Sequence, residues 1–205
     1  MNTSRSLRAF FALPAPLWEE AWKTAVAFLL LTLAGYSLAA VRPESVDPLL
    51  RLFTGAAADI GMYQVKGGAL MATILSNNLL ALLVAVSAGL IPLLHLSALS
   101  LGLNAVLLGG LAAYYRRSGL GLAAYLAGTL PHGVTEIAAL VLACAAGLYI
   151  CRATTYALLG RVDRRTVART LGQVLRVYTH WIVPLLILSA ALEAFVTPLI
   201  FGRFL

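Results

Sequence analysis

The run Gly128-Thr129-Leu130-Pro131-His132-Gly133-Val134-Thr135-Glu136 interrupts a long apolar region with a proline, two glycines, an imidazole and a carboxylate. On a helix His132 and Glu136, four positions apart, share a face. In that pairing they suit a proton relay, an ion or metal site, or a catalytic pair. The other reading is structural, with Glu136 hydrogen-bonded so as to hold His132. Glu193 is the second acid within an apolar stretch, and Ser189, Glu193 and Thr197 are spaced four apart along one face. Asn77, Asn78 and Asn104 complete the set of polar groups expected at membrane depth. An ionisable group costs roughly 2.5–3.5 kcal/mol at mid-membrane on insertion scales, so such groups gain by sharing hydrogen bonds. We therefore expect His132 and Glu136 to lie within hydrogen-bonding reach, joined by Glu193 or an asparagine. Interhelical amide bonds are the plain reading of the asparagines.

The elements that carry these groups are membrane helices. Of 205 residues 61% are hydrophobic and 11% charged, with mean hydropathy +0.90; soluble domains carry about 25% charge. The net charge of +7 comes mostly from arginines flanking apolar spans, which is the positive-inside pattern and not a nucleic-acid footprint. Cys144 and Cys151 form neither a CxxC pair nor a disulfide framework and read as small apolar residues. The expectation is one all-α domain over residues 1–205, a polytopic transmembrane helical bundle.

Along the chain, residues 1–23 read as a basic amphipathic leader, with Trp18 and Trp22 in an interfacial belt. A cleaved signal peptide is disfavoured because Glu19 and Glu20 interrupt the segment and the run from Thr24 to Val41 is of spanning length. Residues 42–68 read as an external loop with a surface-lying helix. Further spans are expected over about Ala69–Leu90, Leu96–Tyr115 and Trp181–Phe201. Leu120–Leu130 is too short to cross about 30 Å of hydrocarbon. It is expected as a re-entrant half-helix that turns back at Pro131, or else as the start of one long kinked span. A helix from Pro131 to about Arg152 then presents Ala139, Ala143 and Gly147 as a small-residue seam, suited with Pro131 and Gly133 to close helix packing. Residues 152–178, with Arg161, Arg164, Arg165, Arg169 and Arg176, read as a basic amphipathic segment on the cytoplasmic membrane surface. About five crossings place both basic regions on one side, with Arg116 and Arg117 on the other.

Several of these residues also resemble a family, the stage II sporulation protein M family. The resemblance lies in the paired Asn77-Asn78 and in the glycine-rich helix from Gly102 through Asn104 to Gly109. It lies further in Pro131-His132-Gly133 with Glu136, and in the closing Leu192-Glu193-Ala194-Phe195-Val196-Thr197-Pro198. Ala105 departs from it, standing where members often have glycine. The resemblance implies an integral membrane protein; the named member is similar to a membrane scaffold working with two peptidoglycan-degrading partners during forespore engulfment.

Three functions follow as expectations. The first is a non-enzymatic scaffold or assembly factor in the cell membrane, contacting lipid and cell-envelope proteins, in one or more copies. The second is a transporter or channel component with a polar site at His132, Glu136 and Glu193. An intramembrane hydrolase is the third; it lacks HExxH, a Gly-x-Ser-x-Gly elbow and a nucleotide fingerprint. No metal and no cofactor are expected from motifs, since a ligand set of His132, Glu136 and Glu193 depends on geometry that spacing does not give.

Overall fold

A computed structural model describes residues 13–59 and 64–204. The first half of the basic leader, residues 1–12, lies outside the described residues, as does the terminal Leu205. The architecture is all-α: α1 (Ala15–Val41), α2 (Asp47–Asp59), α3 (Gly67–Ser87), α4 (Ser97–Arg117), α5 (Gly121–Leu158), α6 (Arg164–Val177), α7 (Val183–Ala191) and α8 (Thr197–Phe201). Wide π-type turns at Tyr178–Ile182 and Leu192–Val196 join α6, α7 and α8 into one continuous rod. Five helical segments among the described residues are long and apolar enough to cross a membrane: α1, α3 with its following turn, α4, α5, and the α6–α8 rod.

Two expectations are corrected here. The segment before Pro131 does not turn back. It forms the first turns of α5, a single helix of 38 residues with Pro131 inside it. At 1.5 Å per residue that is about 57 Å, well beyond the hydrocarbon thickness. Proline forfeits one main-chain hydrogen bond, here the one to the Ala127 carbonyl, and membrane helices tolerate it. On either side of Pro131, Thr129 and Thr135 donate to the Tyr125 and His132 carbonyls at 2.7 and 2.8 Å, and Ser189 reaches the same His132 carbonyl at 3.3 Å. The basic segment expected over residues 152–178 likewise does not stand apart from its neighbours, although Arg164–Val177 is an amphipathic helix as expected. Its first residues finish α5, and α6 runs into the last span without a break. Thr170, Val174 and Val177 are buried, Tyr178 donates to the Leu79 carbonyl at 2.8 Å, and Tyr149 to Gln173 at 3.1 Å. α6 is thus docked on the bundle.

α5 is the central pillar. Half of its most apolar stretch (50%) is buried, against 22% to 33% in the other four spans. From Ala139 to Gly147 it is composed mainly of small residues, and all of them but Ala138 and Leu142 in the stretch from position 138 are fully enclosed. Small side chains let neighbours pack on every side, which is how apolar helices associate when lipid removes the hydrophobic incentive. Ala139, Ala143 and Gly147 of the seam are all buried, and Gly147 meets the end of α3 and the start of α4. A Cβ built on Gly147 would stand 2.1 Å from Ser97 Oγ, and one on Gly89 would stand 2.0 Å from the Gly147 carbonyl oxygen. Ser97 donates to the Ala85 carbonyl at 2.7 Å, tying the two chain segments at that crossing. α1 and α4 cross just as closely, since a Cβ on Gly109 would fall 2.1 Å from the Thr32 carbonyl oxygen. Ala105, the departure from the family pattern, is fully buried. The outer faces carry exposed leucines such as Leu29, Leu30, Leu80 and Leu99, as a lipid-facing surface requires.

Charged residues tie the two ends. Arg152 of α5 pairs with Glu20 of α1, which places the α5–α6 turn at the same end as the start of α1. At the opposite end Arg117 bonds Asp47 at 2.6 Å and the Ala39 carbonyl, and Arg116 bonds the Tyr36 hydroxyl at 2.7 Å. These two arginines, which run against the positive-inside bias in the expected topology, are therefore the clasp that fixes α2 and the end of α1 to α4. α6 begins with a capped turn: Asp163 accepts from the Thr166 N–H at 2.8 Å and the Thr166 hydroxyl at 2.7 Å. Those bonds hold the Asp163 carboxyl below its usual range. A lowered value means that the cap contributes in full at neutral pH and is lost only as pH falls through the lowered value. Asp163→Ala should therefore speed amide exchange at Thr166 at neutral pH, while Asp163→Asn should preserve protection. Equal exchange in wild type and Asp163→Ala would show that the cap does not hold this turn.

Candidate functional site

Three spans bring polar side chains to one place in the bundle. α5 supplies His132 and Glu136, α3 supplies Asn78, and the last rod supplies Ser189, Glu193 and Thr197. His132 lies eleven residues into α5 and Asn78 eleven residues into α3, each about 16 Å from its helix end at 1.5 Å per residue. For α3, about 32 Å long, that is the middle of the helix.

The rod is shaped to deliver Glu193. Pro184 and Pro198 each follow one of its wide turns. A proline offers no N–H to the carbonyl four residues earlier, and its ring crowds that carbonyl, so the helix widens upstream. Such single π-type turns alter the direction of the side chains they carry and recur at functional sites. Glu193 sits in the second one. Thr197 closes it by donating its hydroxyl to the Leu192 carbonyl at 3.2 Å.

The resulting geometry is tight. Thr197 Oγ1 lies 3.0 Å from His132 Nδ1, and Asn78 Nδ2 donates to Glu136 Oε1 at 3.3 Å. His132 Nε2 faces Glu136 Oε2 at 4.0 Å, with the imidazole 13% and the carboxylate 37% exposed. One ligand-type atom from each of His132, Glu136 and Glu193 lies within 4.8 Å of the others. The Thr197 hydroxyl, with a single proton, stands within hydrogen-bond distance of both the Leu192 carbonyl and His132 Nδ1. His132 Nε2 is the ring nitrogen that faces the Glu136 carboxylate.

Of the other residues expected at the site, Asn77 lies on an exposed face of α3. Asn104 bonds the Ser100 carbonyl of its own helix at 2.9 Å and stays out of the cluster. Gly133 faces open space, with nothing within 4 Å of a built Cβ. Cys144 and Cys151 are free and fully buried. Ser189 and Thr197 carry more of the site than spacing alone reveals; their signal was the four-residue stripe they share with Glu193.

The arrangement can hold a proton or a cation between one nitrogen and two carboxylates. The Ser189 hydroxyl meets His132 at its main-chain carbonyl, and the hydroxyl beside the imidazole is that of Thr197.

Comparison with family models gives a match to that of stage II sporulation protein M over residues 24–198, from the first span through Pro198. Comparison with curated proteins finds no match, and comparison with solved structures finds none. With five spans of membrane-crossing length and a match over most of its residues, the chain is a multi-pass membrane protein that belongs to the stage II sporulation protein M family.

Proposed function

We propose that this chain is a non-enzymatic scaffold of the cell membrane that assembles cell-envelope proteins through its helical bundle. The observation that carries the reading is the extent of the family match, which takes in all five spans, so the membrane bundle itself is the functional unit. The glycine crossings at Gly89, Gly109 and Gly147 and the Arg116–Arg117 clasp support a rigid platform. Purification of the tagged chain from its native membrane in a mild detergent, followed by mass spectrometry, tests this. Near-stoichiometric envelope proteins are expected. A chain that purifies with lipid alone, before and after crosslinking, would contradict it.

A second reading is favoured by one specific observation, the meeting of His132, Glu136 and Glu193 with ligand-type atoms within 4.8 Å of one another. In transporters, ion and proton sites are built from such groups beside irregular helical turns. Under this reading the purified chain in liposomes carries a proton or cation flux that Glu136→Gln abolishes while leaving the fold intact.

A further inference from the structure

We propose that His132, Glu136 and Glu193 form a binding site for a first-row divalent transition-metal ion, of the zinc class, inside the membrane bundle. The inference holds whether the chain assembles partners or moves ions, because it concerns what the cluster binds at rest.

The geometry leads there in three steps. First, Thr197 Oγ1 lies 3.0 Å from His132 Nδ1 while Nε2 faces the Glu136 carboxylate. A hydrogen bond at one ring nitrogen with the other turned to the ligand side is the usual support for a metal-bound histidine. Second, His132 Nε2 and Glu136 Oε2 lie 4.0 Å apart, too far for a hydrogen bond. Ligand atoms of His132, Glu136 and Glu193 form a triangle with sides of at most 4.8 Å. Three such atoms converging in a low-dielectric bundle are drawn together by a cation at their centre. Third, the chemistry of the set selects the ion. One imidazole nitrogen with two carboxylates suits zinc and its first-row neighbours, whereas calcium and magnesium take oxygen ligands alone. Bonds of 2.0–2.2 Å place tetrahedral ligands about 3.3 Å apart, so the triangle closes by side-chain rotation of roughly an ångström. Three protein ligands leave a fourth position for water. Asn78, donating to the far oxygen of Glu136, orients that carboxylate as an outer-shell partner does.

The site bridges the middle of the chain to its last helix. A bound ion would pin α5 to the rod at the wide turn carrying Glu193.

The test uses the full chain in nanodiscs, loaded with zinc and passed over a chelating column. Wild type should retain about one zinc per chain and melt several degrees higher with zinc than without. His132→Gln and Glu193→Gln should each lose both the metal and the shift. Cys144→Ala with Cys151→Ala, and His95→Asn with His180→Asn, should keep both. X-ray absorption of the wild type should show only nitrogen and oxygen in the first shell, a readout that needs no variant to fold. Zinc held with sulfur ligands, zinc held equally by His132→Gln and Glu193→Gln, or no retained zinc in the wild type would each overturn the assignment. None of these outcomes bears on whether envelope proteins co-purify.

Discussion

Gly147→Leu will keep the bundle from closing. At this position a Cβ alone would stand 2.1 Å from Ser97 Oγ and 2.7 Å from the Ala85 carbonyl oxygen. The Ser97 side chain cannot simply rotate away without giving up its bond to that same carbonyl. The other obstacle is main chain, which relaxes only if the end of α3 and the start of α4 move off α5 together. Overpacking a core typically costs about 1–3 kcal/mol; with backbone as the obstacle the effect should reach or pass the top of that range. The expected result is a loss of monodisperse protein in detergent, or a melting temperature many degrees lower. Gly102→Leu is the matched comparison, since nothing lies within 4 Å of a Cβ there, and it should behave like wild type. Equal melting of the two variants would mean that the seam does not hold the bundle together.

The second large effect is an energetic coupling between Asn78 and Glu136. Glu136→Leu strips the Asn78 amide of its acceptor, and an unsatisfied buried donor costs about 1–3 kcal/mol. Removing both partners, with Asn78→Leu added, leaves no orphan. The double variant should therefore be more stable than Glu136→Leu alone, with a non-additivity of about 0.5–3 kcal/mol. Glu136→Gln should fold normally, because an amide oxygen still accepts from Asn78. Unfolding titrations of the four proteins measure the cycle, and strict additivity would show that the 3.3 Å contact is not formed in the membrane.

Much of the fold could be read from run lengths. Apolar stretches of about twenty residues bounded by arginine or proline determine five spans whatever their packing, and the expense of two acids and an imidazole in lipid argues for their meeting. Both inferences depend on composition and on the solvent. Features set by local geometry were harder to read. Pro131 looked like a helix start because a proline has no N–H and suits a first turn; here it lies inside α5, beside a contact from Ser189 that is distant in sequence. The wide turns before Pro184 and Pro198 have no periodicity of their own, so the rod's continuity from Arg164 was hidden, and α6 read as a separate surface helix. Asn104 resembled its fellow asparagines by type, but a bond to its own Ser100 carbonyl satisfies it at home. Spacing could place Ser189, Glu193 and Thr197 on one stripe; it could not show that Thr197 meets the imidazole of a histidine on another helix.

The central claim is that α5 and the last rod bring Glu136 and Glu193 to a single point inside the bundle. It is tested most directly by crosslinking. In a chain with Cys144 and Cys151 replaced by alanine and a protease site placed in the turn at Gly160, Glu136→Cys and Glu193→Cys are introduced together and treated with a short thiol-to-thiol reagent. After cleavage the two halves should run as one band without reductant and separate with it. Val134→Cys, whose native side chain is 62% exposed on the outside of α5, paired with Glu193→Cys should give two bands under both conditions. Two bands from Glu136→Cys with Glu193→Cys in a folded protein would contradict the shared site.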